Sequence, residues 1–95
     1  MEVEYTKHAL LRLGIRGIGR DEVEEVLRRP QHLYYDASTG AMVAVGGRAG
    51  RPGHWLIVVY TRAGGVCRVV TVIDTKSLDR IAGKRVASGR WIQVW

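Results

Sequence analysis

The chain has 95 residues, with 15 Lys and Arg against 9 Asp and Glu and a formal net charge of +6. That length holds one domain, which excludes a multidomain enzyme or a repeat array, and no apolar run of about 18 residues is present to span a membrane. A surplus of positive charge on so small a surface points to an anionic partner, with nucleic acid the first candidate.

The N-terminal stretch MEVEYTKHALL opens acidic and has no apolar h-region, so no signal peptide is expected. Cys67 is the lone cysteine and cannot form an internal disulfide, which fits a reducing, cytoplasmic compartment. The bases comprise 12 Arg and 3 Lys, and there is no Asn. Arginine suits bidentate ion pairs and phosphate recognition. The low amide content matches a thermophile's avoidance of labile side chains, and GC-rich coding would give the same arginine excess. Residues 1–30 are charge-balanced, residues 31–60 carry +1 and residues 61–95 carry +5. The C-terminal third is therefore where an anionic ligand is expected, unless that charge only solubilises the surface.

In chain order, Thr6 is an N-cap candidate for a helix over KHALLRLGIR, with Ala9, Leu10, Leu13 and Gly14 on one side and Gly17 as its C-cap. Arg20–Arg29 reads as a second helix, with acids in its first turn, Val23, Val26 and Leu27 at helical spacing, and Pro30 as its stop. His32–Asp36 and Ala41–Val45 read as strands around a turn at Ala37–Gly40. Gly46–Gly53 is a flexible basic loop. Trp55–Thr61 and Val66–Asp74 are apolar on both faces and read as central strands joined by a tight turn. A short helix over about Ser77–Gly83 and an edge strand over Arg90–Val94 complete the chain. The expected fold is α+β: two N-terminal helices packed on one face of an antiparallel four-stranded β-meander, as a single domain over residues 1–95.

The most specific local constellation is His8, Arg12 and Arg16, spaced i, i+4, i+8 and so confined to about 80° of a helix surface. A histidine sharing one helix face with two guanidiniums can move a proton while phosphate is held. Arg12 and Arg16 can instead pair with Glu22 or Glu25 of the adjacent helix, with His8 capping or packing. Beyond them, Arg48, Arg51 and His54 border the basic loop, and Arg68, Lys76, Arg80 and Arg85 form a second group of candidate nucleic-acid contacts. Strict alternation would place Arg68 on the face of Val70, Val72 and Asp74, where it either contacts a ligand or pairs with Asp74. Trp91 and Trp95, set among bases, can stack on unpaired bases or anchor the core. The histidines and the cysteine show no metal-ligand spacing, and the glycines near Gly46 lack the strand–loop–helix context of a phosphate loop, so neither metal nor cofactor is expected.

The segment YTKHALLRLGIRGIGRDEVEEVLRRP resembles the start of a small domain family of unassigned function: Thr-x-His-Ala, Arg four residues after the His, Arg-Gly-Ile, then an acidic helix closed by Pro. The strands HWLIVVYT and VCRVVTVID are similar to that family's core, and the resemblance covers about residues 5–75. The family looks like a relative of the RelE/ParE and BrnT-type toxins of toxin–antitoxin systems. This chain departs from the pattern at Gly19, where a Ser or Thr cap is usual. The resemblance implies a RelE-like fold and a metal-independent endoribonuclease, many relatives acting on ribosome-bound mRNA. It implies His8, Arg12 and Arg16 as catalytic candidates, with Arg68 and Lys76 placed to contact RNA. An acidic antitoxin is the implied protein partner, and a homodimer is compatible. The alternative from a different class is a non-catalytic nucleic-acid- or protein-binding module that uses the same basic surface.

Overall fold

The structure, a computed structural model, describes residues 1–95. It begins with a short strand, β1 (Glu2–Tyr5), followed by α1 (Lys7–Arg16) and α2 (Arg20–Arg28). Four strands follow: β2 (His32–Asp36), β3 (Met42–Gly47), β4 (Trp55–Ala63) and β5 (Val66–Thr75). The chain ends in α3 (Leu78–Ala87) and β6 (Trp91–Gln93).

The capping chemistry read from the sequence is in place. The Thr6 hydroxyl accepts from Ala9 N–H at 3.1 Å, and Gly17 closes α1 in the left-handed region at φ 61°. At the start of α2, Gly19 has no side chain to cap with. Only the reciprocal half of a capping box forms, with the Glu22 carboxylate accepting from Gly19 N–H at 2.8 Å.

The sheet has six strands in the order β1-β5-β4-β3-β2-β6. The meander β2–β5 is antiparallel as expected, but β1 pairs parallel with β5, from Glu2 opposite Val66 to Tyr5 opposite Val69. The sheet is therefore mixed and wider than a four-stranded meander. β6 is the opposite edge, antiparallel to β2.

Side-chain alternation gives the sheet two buried faces. On one, Ala44, Leu56, Val58 and Val69 pack under Ala9 and Leu13 of α1 and Val23 and Val26 of α2. On the other, Val43, Val45, Ile57 and Trp91 pack under Leu78 and Ala82 of α3. The molecule has three layers, with the C-terminal helix covering the face away from the N-terminal pair. That covering explains why WLIVVYT is apolar on both sides. Leu10, assigned to the packed face of α1 by its spacing, is 40% exposed.

One irregularity changes which face β5 residues occupy. Val59 pairs with Thr71 and Tyr60 pairs with Val69, so Val70 is an extra, unpaired residue. Val72 and Asp74 therefore share a face with Val69 and Cys67, while Arg68, opposite Thr61, stands on the α3 face. The expected common face of Arg68 and Asp74 does not exist. The bulged residue is used: Thr6 donates to the Val70 carbonyl at 2.9 Å, which fixes the start of α1 against β5.

Candidate functional site

The turn between β4 and β5 folds them into a long hairpin, and its register sets Leu56 opposite Asp74 and Trp55 opposite Thr75. This brings His54, at the mouth of β4, beside the end of β5. The preceding loop is held by its own backbone: Arg48 N–H donates to His54 C=O at 2.9 Å, and His54 N–H donates to Arg51 C=O at 3.1 Å. Gly53, at φ 84°, makes the sharp reversal that aims His54 back at the sheet.

His54 Nδ1 lies 2.8 Å from Asp74 Oδ1. A neutral imidazole bound this way donates from Nδ1 and leaves the Nε2 lone pair free. The other oxygen, Asp74 Oδ2, accepts from Arg48 Nη1 at 2.8 Å. Arg48 is also held by Glu22, Nε to Oε1 at 2.9 Å and Nη2 to Oε2 at 3.0 Å, and by the Gly17 carbonyl at 3.1 Å. The guanidinium thus ties the end of α1, the start of α2 and β5 to one point. It is 7% exposed and all its partners are internal, so it is the underside of the site rather than a contact for an outside ligand.

This network sets the charge states. Burial pushes the Asp74 carboxyl up, but hydrogen bonds from His54 and Arg48 outweigh it and hold it below the usual carboxylate range. The Arg48 hydrogen bonds likewise hold Glu22 low, and Glu22 in turn raises the Arg48 guanidinium. Both carboxylates are anionic near neutral pH.

A cleft of about 330 Å3 opens at this point, lined by Ile15, Arg16, Arg51, His54, Asp74, Thr75 and Lys76. Of the sequence candidates, the structure brings Arg16, Arg51, His54 and Lys76 together here. Lys76 also borders a neighbouring depression of about 330 Å3 with Trp55, Ser77, Leu78, Asp79 and Arg80. The two hollows share Lys76, and the second adds the Trp55 indole and Arg80 beside Asp79.

The other candidates lie elsewhere. α1 runs beside β5 in the same direction: His8 Nε2 sits 3.0 Å from Thr71 Oγ1, and Arg16 reaches the cleft at Thr75. His8 and Arg16 are two turns apart, about 12 Å along the axis, so the helix stripe is divided between two places. Arg12, between them, has a buried Nε with no partner. Arg68 is exposed on the α3 face, and Arg85 lies over the Trp91 ring at 5.6 Å. The acids expected to pair with the α1 arginines are taken otherwise, Glu22 by Arg48 and Glu25 by Arg28.

The model of a domain of unknown function, DUF4258, matches residues 5–82. The chain belongs to the DUF4258 family. The matched span of this DUF4258 domain includes every residue lining the cleft and ends before Arg85, Arg90 and Trp91. No curated protein and no solved structure matches the chain. No helix of the domain is long and apolar enough to cross a membrane.

Asp74 and Trp55 were not singled out as site residues from the sequence. Asp74 lies 20 residues from His54, a separation with no local spacing rule. Only the antiparallel pairing of HWLIVVYT with VCRVVTVID, which sets the polar start of the first strand beside the polar end of the second, could have signalled it.

Proposed function

We propose that this domain binds single-stranded RNA across the His54 cleft and cleaves it without a metal ion, in the manner of a toxin-like endoribonuclease. The observation that carries the reading is His54 fixed by Asp74 at 2.8 Å in a cleft whose other walls bear Arg16, Arg51 and Lys76. A base oriented through one nitrogen by a carboxylate, beside several phosphate-binding cations, is what in-line attack by a ribose 2′-hydroxyl needs.

In this mechanism His54 Nε2 takes the proton of the 2′-hydroxyl. The 2′-oxygen bonds to phosphorus as the bond to the 5′-oxygen breaks. Arg16 and Arg51 hold the non-bridging oxygens as charge builds on them. The Lys76 ammonium gives a proton to the departing 5′-oxygen, and exchange with water resets both groups. The products are a 2′,3′-cyclic phosphate and a 5′-hydroxyl. Asp74 keeps the imidazole in the required tautomer and stabilises the imidazolium that forms. His54 thus takes the base role that the sequence reading gave to His8.

Trp55, with Lys76 and Arg80, offers the base that follows the scissile phosphate a stacking surface flanked by cations. RNA rather than DNA is the substrate, because the nucleophile is the 2′-hydroxyl. A RelE-like relationship and an acidic antitoxin partner belong to the same reading, which the resemblance of residues 5–75 to toxin relatives supports. The test is incubation of purified protein with a fluorescent RNA oligonucleotide in EDTA. Cleavage to cyclic phosphate ends is expected, with no cut in the all-DNA strand. Salt-dependent binding without product would establish the non-catalytic module instead.

A further inference from the structure

The largest cavity of the molecule, about 470 Å3, is on the other side of the sheet from His54. Its apolar surface comes from Ala41 of the β2–β3 turn, Val59 of β4, Ile73 of β5 and Trp91 of β6, and Arg85 and Arg90 also line it. The volume is that of a pocket for a small organic ligand rather than a packing defect. We infer that this cavity is a binding site for a small organic monoanion with a planar apolar body, such as an aromatic carboxylate, sulfonate or phosphate ester. The inference does not depend on the RNA reading.

Charge accounting favours a single negative charge. Asp36 is 3% exposed and is satisfied internally: Ser38 Oγ donates to it at 2.6 Å and Arg90 Nε at 3.2 Å. That pair neutralises itself while leaving Arg90 terminal nitrogens for a ligand. Arg68, the cross-strand neighbour of Thr61, does not line the cavity. Among the charged residues that line the cavity, Asp36 and Arg90 pair with each other, and Arg85, with no carboxylate partner, contributes the one uncompensated charge. Its guanidinium lies over the Trp91 ring, which positions it at the rim. The Thr61 hydroxyl supplies a polar contact among the apolar ones, while that of Thr71 is shared with His8 Nε2 at 3.0 Å. An uncharged apolar molecule would leave Arg85 unused, and a dianion would exceed the charge available.

The test is a fluorescence titration of the folded protein with anilinonaphthalenesulfonate, with uncharged N-phenylnaphthylamine as the control. One-to-one saturable binding of the sulfonate is expected, about fivefold or more tighter than that of the amine. Arg85→Gln should weaken it by a similar factor, and the filling variant Thr61→Trp should abolish it. The double variant Ile92→Ser/Val94→Ser, which removes exposed apolar side chains outside the cavity, should bind as the parent does. Circular dichroism confirms that each variant is folded, and Arg85→Gln decides the matter should Thr61→Trp not be. Absence of saturable binding, equal affinity for the uncharged amine, or loss confined to the Ile92/Val94 variant would each overturn the inference.

Discussion

Arg48 and Asp74, 26 residues apart in the chain, meet at 2.8 Å beneath the His54 cleft. The carboxylate that orients the imidazole is itself held by a buried guanidinium, and the same guanidinium fastens α2 through Glu22. The site and the packing of the helical layer therefore share one side chain.

Replacing the histidine separates chemistry from binding. His54→Ala is expected to lower RNA cleavage by about a hundredfold or more, since a positioned general base contributes on that scale. Affinity for an uncleavable 2′-deoxy analogue should stay within about twofold, because the phosphate contacts reside on Arg16, Arg51 and Lys76. His8→Ala should leave cleavage near the parent rate. Single-turnover assays and fluorescence anisotropy provide the two readouts, and a dead His8→Ala beside an active His54→Ala would move the site to the other end of α1.

The Arg48 network should show as a stability effect. Arg48→Met removes the buried partner of two half-buried carboxylates and is expected to cost up to about 3–5 kcal/mol, the scale for breaking a buried ion pair from one side. Arg28→Ala, which breaks the exposed Arg28–Glu25 pair, should leave stability close to that of the parent. Urea titrations followed by circular dichroism compare the two directly, and equal effects would mean that the network carries no stability.

Acid should unfold the domain in a defined direction. Asp74 and Glu22 have carboxyls held below their ordinary values, so in mildly acidic solution the unfolded chain binds more protons than the native one. Their contribution is fully present above the unfolded carboxylate range, about 4 to 4.5, and is lost as pH falls through the lower native values. Melting temperature should be level from neutrality down to about pH 5 and then drop. In Glu22→Gln the drop should be shallower, from a lower plateau.

Salt titration resolves the binding path. Arg51→Ala and Lys76→Ala are each expected to weaken RNA binding and to reduce the slope of log affinity against log salt by about one. Trp55→Ala should weaken binding by about 1–3 kcal/mol with an unchanged slope, since stacking releases no counterions. A changed slope for Trp55→Ala would argue against stacking.

Much of this architecture is legible in the sequence, because periodicity and caps are local signals. Thr6, Gly17 and Pro30 delimit the helices where the chain chemistry requires it, and the four strands of the meander follow from their apolar runs. β1 is not legible: EVEY is four residues long and gains its pairing only from a parallel partner some sixty positions away. The placement of Arg68 failed for a different reason. A single extra residue at Val70 inverts the alternation on which it rested. The site was half legible. Residue type marked His54, Arg51 and Lys76 as candidates, while the partnership with Asp74 is a product of hairpin register and Arg48 is inward-facing through pairing with Glu22. His8, Arg12 and Arg16 form the tidiest pattern in one dimension, yet in three dimensions the stripe extends beyond a single cleft.

The attachment of Thr6 to β5 has a consequence for biosynthesis. Its amide donates to the Val69 carbonyl and its hydroxyl to that of Val70, and those acceptors are translated more than sixty residues after it. During elongation α1 is a ten-residue helix with neither its strand nor its anchor, too short to persist alone in water. The segment made first is therefore obliged to wait, and the layer that supplies Arg16 to the cleft can settle only once β5 has emerged. Most of the positive charge, in residues 61–95, emerges with and after the strand that completes the cleft, and a ribosome stalled before Val69 would carry a peptide that lacks a completed site.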